Sequence, residues 1–242
     1  MSQERPAFYA LAPGGWRDWW TLLHPPYTLW HLSYVALGAA TASHVDLYRL
    51  GMSLLGFFLG VGLAAHALDE IRGRPLGTAI PDRVLVGLAI VSLAGAAVVG
   101  AIGVVQFSAW LAVFVAAGTF LVVAYNLELV GGAFHSDVWF ALAWGGFPAL
   151  TGAFAQEGRL EIAAVLVAAG CVAISAAQRA LSTPVRRLRR RVAAVEGTIT
   201  LKDGVTEPIG VDAIRAAPET ALKLLAFAMP LLATAFVIAR RW

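Results

Sequence analysis

Seven stretches of this chain, roughly 27–43, 50–69, 84–105, 107–126, 137–155, 161–178 and 219–239, are apolar over nearly the length that crosses a bilayer. A helical crossing takes about 20 mostly apolar residues. Inside lipid every backbone polar group must be satisfied within the protein, so repeated stretches of this length restrict the chain to an all-α, polytopic transmembrane helical bundle of about seven spans. The first stretch is the weakest, because it holds His31 and Ser33 and opens with Pro25-Pro26. The short links at 105–107 and 156–160 force antiparallel neighbours. Composition agrees with a lipid solvent: 14% of residues are charged and 59% hydrophobic, against about 25% charged in a soluble domain. Nothing in the composition shifts enough to divide residues 1–242, so one membrane domain is expected.

A net charge of +3 with a pI near 9.3 raises the question of nucleic acid. The distribution of charge excludes it as a partner: six of the eighteen Lys and Arg lie between Arg179 and Arg191, where a membrane protein uses them to set its orientation. With the N-terminus in the cytoplasm, thirteen Lys and Arg fall inside and four outside; only Arg240 and Arg241 argue the other way. The protein is therefore expected as a multi-pass protein of a bacterial or archaeal cell membrane. No cleavable signal peptide is expected, since residues 1–23 carry Arg5, Pro6, Pro13, Arg17 and Asp18 and lack a clean apolar core. Within that cytoplasmic or interfacial segment, Trp16–Leu23 reads as a short amphipathic helix on the membrane surface. Residues 179–218 are expected as a cytoplasmic basic loop. Alternation over Gly197–Gly204, closing on Lys202-Asp203-Gly204, marks a small β-hairpin within it. The single cysteine, Cys171, can form no intramolecular disulfide.

Ionisable residues at membrane depth are costly, and a function is their default explanation. Here they gather at helix ends that share the cytoplasmic side: His66, Asp69 and Glu70; Asn126 and Glu128; His135 and Asp137; Gln178 and Arg179; and His24 and His31 near the first stretch. His66, Asp69 and Glu70 stand at i, i+3 and i+4 and project from one helical face. Such a face can hold a divalent cation through its carboxylates, or it can simply pair His66 with Glu70. Arg72 and Arg74 can neutralise the carboxylates, and Gly73–Pro81 can cap a site mouth or be a plain connection. Asp137 can be a helix cap. The Arg186–Arg191 run serves topology and lipid headgroups, with anion binding by Arg179 or Arg186 as the sharper alternative. Gly56-x-x-x-Gly60 reads as a close helix contact. Phosphate-loop, dinucleotide, Cys-x-x-Cys and nucleophile-elbow patterns are absent from the sequence. The polar groups lie too near the helix ends for a midmembrane transport path.

The order of these features resembles the UbiA superfamily of intramembrane prenyltransferases. His24-Pro-Pro-Tyr-Thr-Leu-Trp-His31 running into Val35-Ala-Leu-Gly-Ala is similar to that family's opening segment, and Leu63–Gly73 lies where it has its first aspartate-rich motif. Tyr125-Asn126, the following link and Trp144–Gly152 are similar to its fourth-to-fifth helix region. The resemblance implies a cavity bounded by helices, in which aspartate motifs and Mg²⁺ hold a prenyl diphosphate while its allylic carbon alkylates an acceptor. It places Asp69 and Glu70 as catalytic and metal-binding, and His66, Arg72, Asn126, His135, Asp137, Arg179 and Arg186 as substrate-binding. The chain departs from the pattern where the second motif would fall, near 178–190, because no acidic residue lies between Glu161 and Glu196. One Asp and one Glu hold at most one Mg²⁺, and an arginine can take the place of a second ion on phosphate. The expected partners are an isoprenoid or lipid-like small molecule and membrane lipids. The alternative is a non-catalytic relative that binds a lipid or quinone, or serves as a subunit of a larger membrane complex.

Overall fold

A computed structural model describes residues 5–240. After the short helix α1 (Trp16–Leu23) come α2 (Pro25–Ala39), α3 (Leu47–Ile71), α4 (Asp82–Gln106), α5 (Leu111–Asn126), α6 (Asp137–Glu157), α7 (Ile162–Arg191) and α8 (Val211–Ala239). A hairpin of β1 (Gly197–Thr200) and β2 (Thr206–Ile209) joins α7 to α8. From α3 onward each helix runs antiparallel to the one before it. One end of the bundle ties Asp46 to Gln156, Tyr48 to Gln106, and Val45 to the Arg240 carbonyl. The other ties Arg72 to Glu128, Asp137 to Arg179, and Arg189 to Glu219. The second, which carries the arginines of the last turns of α7, is the basic end.

Five helices, α3, α4, α6, α7 and α8, are long and apolar enough to cross a membrane. That is the constitution of an integral membrane protein. Two of the seven expected stretches fall short of that measure: α5 has 16 residues and α2 has 15. α2 is the more sheltered of the two, with Trp30, Tyr34, Val35 and Ala39 fully enclosed. α8 runs the whole length of the bundle, so its two ends lie at opposite ends of the fold; Arg241 falls outside the described residues.

Local chemistry accounts for the element ends. Asp46 caps α3 by accepting from the Tyr48 and Arg49 amides, and Ser136 caps α6 by accepting from Trp139. Gly158 at φ 68° closes α6 in a left-handed turn that only glycine adopts cheaply. Pro25 and Pro26 open α2, where their missing N–H groups cost nothing. Instead of starting a loop at residue 179, the polypeptide stays helical to Arg191, so the arginine run lies along a helix face.

The core joins α2, α6, α7 and α8 around Trp30, Tyr34, Ala149, Cys171, Leu222 and Met229. α2 and α6 nearly touch. A Cβ on Gly38 would fall 1.8 Å from the Ala149 carbonyl oxygen, and one on Gly152 2.1 Å from that of Val35. Small residues permit such backbone contact where lipid supplies no hydrophobic drive between helices. Gly56 and Gly60, by contrast, do not make the close contact their spacing predicts. A Cβ on Gly60 would meet nothing within 4 Å, and one on Gly56 only an ordinary contact with Val99.

Two helices widen locally into π-helix, over Phe58–Ala65 in α3 and Leu142–Gly146 in α6. A π-turn shifts the backbone ladder, frees carbonyls from their usual partners and is frequent at functional sites.

Candidate functional site

The basic end encloses a polar cavity of about 180 Å³. Four of the chain's five histidines line it: His24, His31, His66 and His135. Asp69, Gln178 and the tyrosines Tyr9, Tyr27 and Tyr125 share its walls. So does one stripe of α7 carrying Arg179, Arg186, Arg189 and Arg190 at helical spacing. The N-terminal arm closes the side left open by the helices: Pro6, Ala7, Phe8 and Tyr9 line the cavity, with the Arg5 and Pro6 carbonyls accepting from Arg189 and Arg190. α1 lies beside it with Trp16, Trp19 and Trp20 exposed and Asp18, Thr21 and Leu22 turned inward.

Three imidazoles are held in the same way. The Nδ1 atoms of His31, His66 and His135 lie 3.0 Å from the carbonyl oxygens of Trp144, Gly62 and Tyr125 respectively. A carbonyl only accepts, so each Nδ1 carries the hydrogen. In the neutral ring the lone pair is then on Nε2. Two of the three carbonyls, those of Gly62 and Trp144, belong to the π-segments.

His24 differs. It joins α1 to α2 at φ 49°, ψ 54°, a left-handed conformation rare outside glycine, and its ring stacks on His66 with centroids 4.2 Å apart. Burial, reinforced by Tyr27, pushes the Tyr9 phenol well above its ordinary range, so Tyr9 keeps its proton. Burial, then His66 and the nearby arginines, hold His24 well below the usual histidine range, so the ring is neutral. Tyr9 therefore donates to His24 Nδ1 at 2.5 Å, and the ring hydrogen sits on Nε2. That Nε2 is buried with no hydrogen-bond partner among the described residues, and so is Gln178 Oε1 in a side chain 3% exposed. An unsatisfied buried polar atom costs about 1–3 kcal/mol, and a ligand in the cavity is the natural partner for both.

Of the residues expected at a site, His66, Asp69, His135, Arg179 and Arg186 line this cavity. Four do not. Glu70 is fully buried and caps the following loop, its two oxygens accepting from the Leu76 and Thr78 amides and the Thr78 hydroxyl at 2.8–3.0 Å. Adjacent positions on a helix diverge by about 100°, so Asp69 and Glu70 point to different tasks. Arg72 leaves the site to bind Glu128 and the Leu127 carbonyl. Asn126 donates to Val122 in its own helix. Asp137 is largely exposed and anchors Arg179 from outside at 2.7 Å. His66 does not pair with Glu70, and Arg74 closes the loop by binding Asp82 and the Ile80 carbonyl. Gln178, His24 and His31, read among the polar helix ends, line it as well, whereas the tyrosines, Arg189 and Arg190 complete the site without having been expected in it; only the helical spacing along α7 could have pointed to the last two.

Mg²⁺ does not fit this donor set. Hard cations need several carboxylate or carbonyl oxygens, and among the described residues the cavity offers one carboxylate, Asp69. Among the described residues no group of three or more His, Cys, Asp or Glu can hold a metal ion.

Toward the middle of the bundle a second, apolar cavity of about 130 Å³ lies among α3, α4, α5 and α6, lined by Gly56, Gly60, Leu93, Phe114 and Phe147 among others. Val61 and Trp144, one from each π-segment, belong to the walls of both cavities. No protein-family model matches the chain, and neither does a curated protein or a solved structure.

Proposed function

We propose that the protein binds an isoprenoid with a phosphate head and acts as a divergent, UbiA-like prenyltransferase at the cytoplasmic face. The observation that carries this reading is the pair of cavities meeting at Val61 and Trp144. One is cationic and rich in imidazole, the other apolar, as an amphiphile with an anionic head and a hydrocarbon tail requires. In the transfer step the bond between the allylic carbon and the phosphate oxygen breaks, and diphosphate leaves with the electron pair toward the guanidinium groups. The acceptor's nucleophilic atom bonds to that carbon, and the proton it loses passes to an Nε2 lone pair of His31, His66 or His135. The Lys and Arg asymmetry puts the basic end in the cytoplasm, with α2 and α5 completing seven crossings.

The test is binding of farnesyl diphosphate to the detergent-purified protein, with native mass spectrometry for copurifying isoprenoids. Gly60→Leu adds a side chain where a Cβ meets nothing within 4 Å. Filling the apolar cavity in this way should weaken farnesyl diphosphate binding at least tenfold and leave thermal stability unchanged. A wild-type protein that does not bind, or a variant that binds as well as wild type, overturns the reading. One observation favours the non-catalytic relative: among the described residues Asp69 is the only acidic side chain lining the cavity. Binding without release of diphosphate across a panel of aromatic acceptors would decide for it.

A further inference from the structure

We infer that this protein holds the phosphate head of its ligand with guanidinium groups alone, without a divalent cation between phosphate and protein. The inference rests on the function proposed above and is sharper than it. Three observations lead to it.

First, the side chains that would bridge a metal are committed elsewhere. Both oxygens of Glu70 are used by the Leu76 and Thr78 groups they cap, and Asp137 faces outward against Arg179. Asp69 is left alone; its carboxylate has no hydrogen bond or ion pair among the described residues.

Second, the cationic wall has capacity to spare. Arg186 lines the cavity half-buried, and its guanidinium makes no hydrogen bond or ion pair among the described residues. Arg190 spends its Nε–H on the neutral Pro6 carbonyl. A charged group left half-buried without a partner is costly, and a phosphate oxygen satisfies it with the strongest hydrogen bonds guanidinium makes. Arg179 is already oriented, by Asp137 at 2.7 Å and by the Phe140 ring 5.2 Å below it.

Third, the geometry is that of a single surface. Arg179, Arg186 and Arg190 follow one another at seven and four residues along α7, so they stand in line on the face that borders the cavity. His24 adds a neutral donor through its Nε2, which has no partner among the described residues.

The arrangement reverses the sign of one substitution. If a cation bridged Asp69 to phosphate, Asp69→Asn would abolish binding. If arginine alone holds the phosphate, Asp69 is a like charge beside the anion, and Asp69→Asn leaves binding unchanged or strengthens it.

The experiment is farnesyl diphosphate binding to the detergent-solubilised full chain, in excess EDTA and in millimolar magnesium, for wild type, Asp69→Asn and Arg186→Gln. Equal affinity in the two buffers, unchanged or tighter binding by Asp69→Asn, and at least tenfold weaker binding by Arg186→Gln support the inference. Arg186→Gln should unfold at the wild-type temperature, because Arg186 has no hydrogen bond or ion pair among the described residues to lose. Binding that needs magnesium, or is lost in Asp69→Asn, overturns the inference and leaves the proposed function standing. If wild type binds in neither buffer, the proposed function falls and this inference with it.

Discussion

The two cavities share two residues and little else. The polar one is walled by chain ends: the N-terminal arm, the junction at His24, the last turn of α3, the Tyr125–Phe140 region and the arginine stripe of α7. The apolar one is walled largely by the interiors of α3, α4, α5 and α6, reaches Arg49 and Phe107 at the far end of the bundle, and gains open space at Gly60, where a Cβ would meet nothing within 4 Å. One cavity is built by adding costly groups, the other by withholding cheap ones. Charge at membrane depth advertises itself in a sequence, whereas a void between helices does not.

The glycines offer the strongest way to break this contrast. Gly152→Leu would place a side chain against the Val35 carbonyl, where a Cβ alone falls 2.1 Å away, and backbone cannot yield as a side-chain tip can. Loss of monodisperse protein in detergent is expected. Gly60→Leu, in open space, should purify as wild type. Should both variants survive equally, glycine in this fold does not divide into close contact and void.

Glu70 and Asp69 carry the contrast inside a single helical turn. Removing the Glu70 carboxylate strands two buried amides and a hydroxyl. Glu70→Ala should therefore cost about 2–4 kcal/mol of stability, with Glu70→Gln costing less because one oxygen remains. Thermal unfolding measures both. The affinity of Glu70→Gln for farnesyl diphosphate should stay at the wild-type value, and a tenfold loss would return Glu70 to the ligand site.

Much of the fold was legible because apolar length is hard to disguise: α2 to α6 lie close to their expected stretches, whereas α7 and α8 contain theirs and run on through polar residues, to Arg191 and from Val211. The tight α2–α6 approach was not legible. Gly38 and Gly152 lie in different helices and only meet in three dimensions, whereas Gly56-x-x-x-Gly60, the pattern that advertised contact, has nothing packed on Gly60. In the candidate site, the clustering of polar helix ends was readable, and His66, Asp69, His135, Arg179 and Arg186 do converge. Which member of an adjacent pair faces inward depended on the loop at 73–81 needing a cap, a demand set by backbone amides that leave no mark in the residue pattern. The contribution of Tyr9 could not be read either, since it depends on how the arm folds back across the basic end.

The shared wall tests whether the two cavities act on one ligand. Val61→Phe enlarges a residue that borders both. It should weaken farnesyl diphosphate binding about tenfold, or about 1.4 kcal/mol, and leave inorganic diphosphate binding unchanged. If both ligands lose affinity equally, the head cavity itself has been distorted and the division between head and tail sites fails.

The smallest effect expected is a dependence on pH centred on His24. Its ring stays neutral in the fold, held well below the usual histidine range by burial and by His66 and the arginines beside it. The unfolded chain takes up a proton at this position near the ordinary histidine pKa of about 6.5, while the folded protein does not. The unfolded state then binds more protons, so stability rises with pH across that window and is lost as pH falls below about 6.5 toward the depressed folded value. One such group contributes a slope of at most about 1.4 kcal/mol per pH unit. His24→Gln removes the titrating ring and should flatten the acid limb of stability against pH by up to that amount, with little change at neutral pH. Thermal unfolding of wild type and variant between about pH 5 and pH 8 reads it directly. Parallel acid limbs would mean that His24 is protonated in the fold, and Tyr9 would then be an acceptor where it is here a donor.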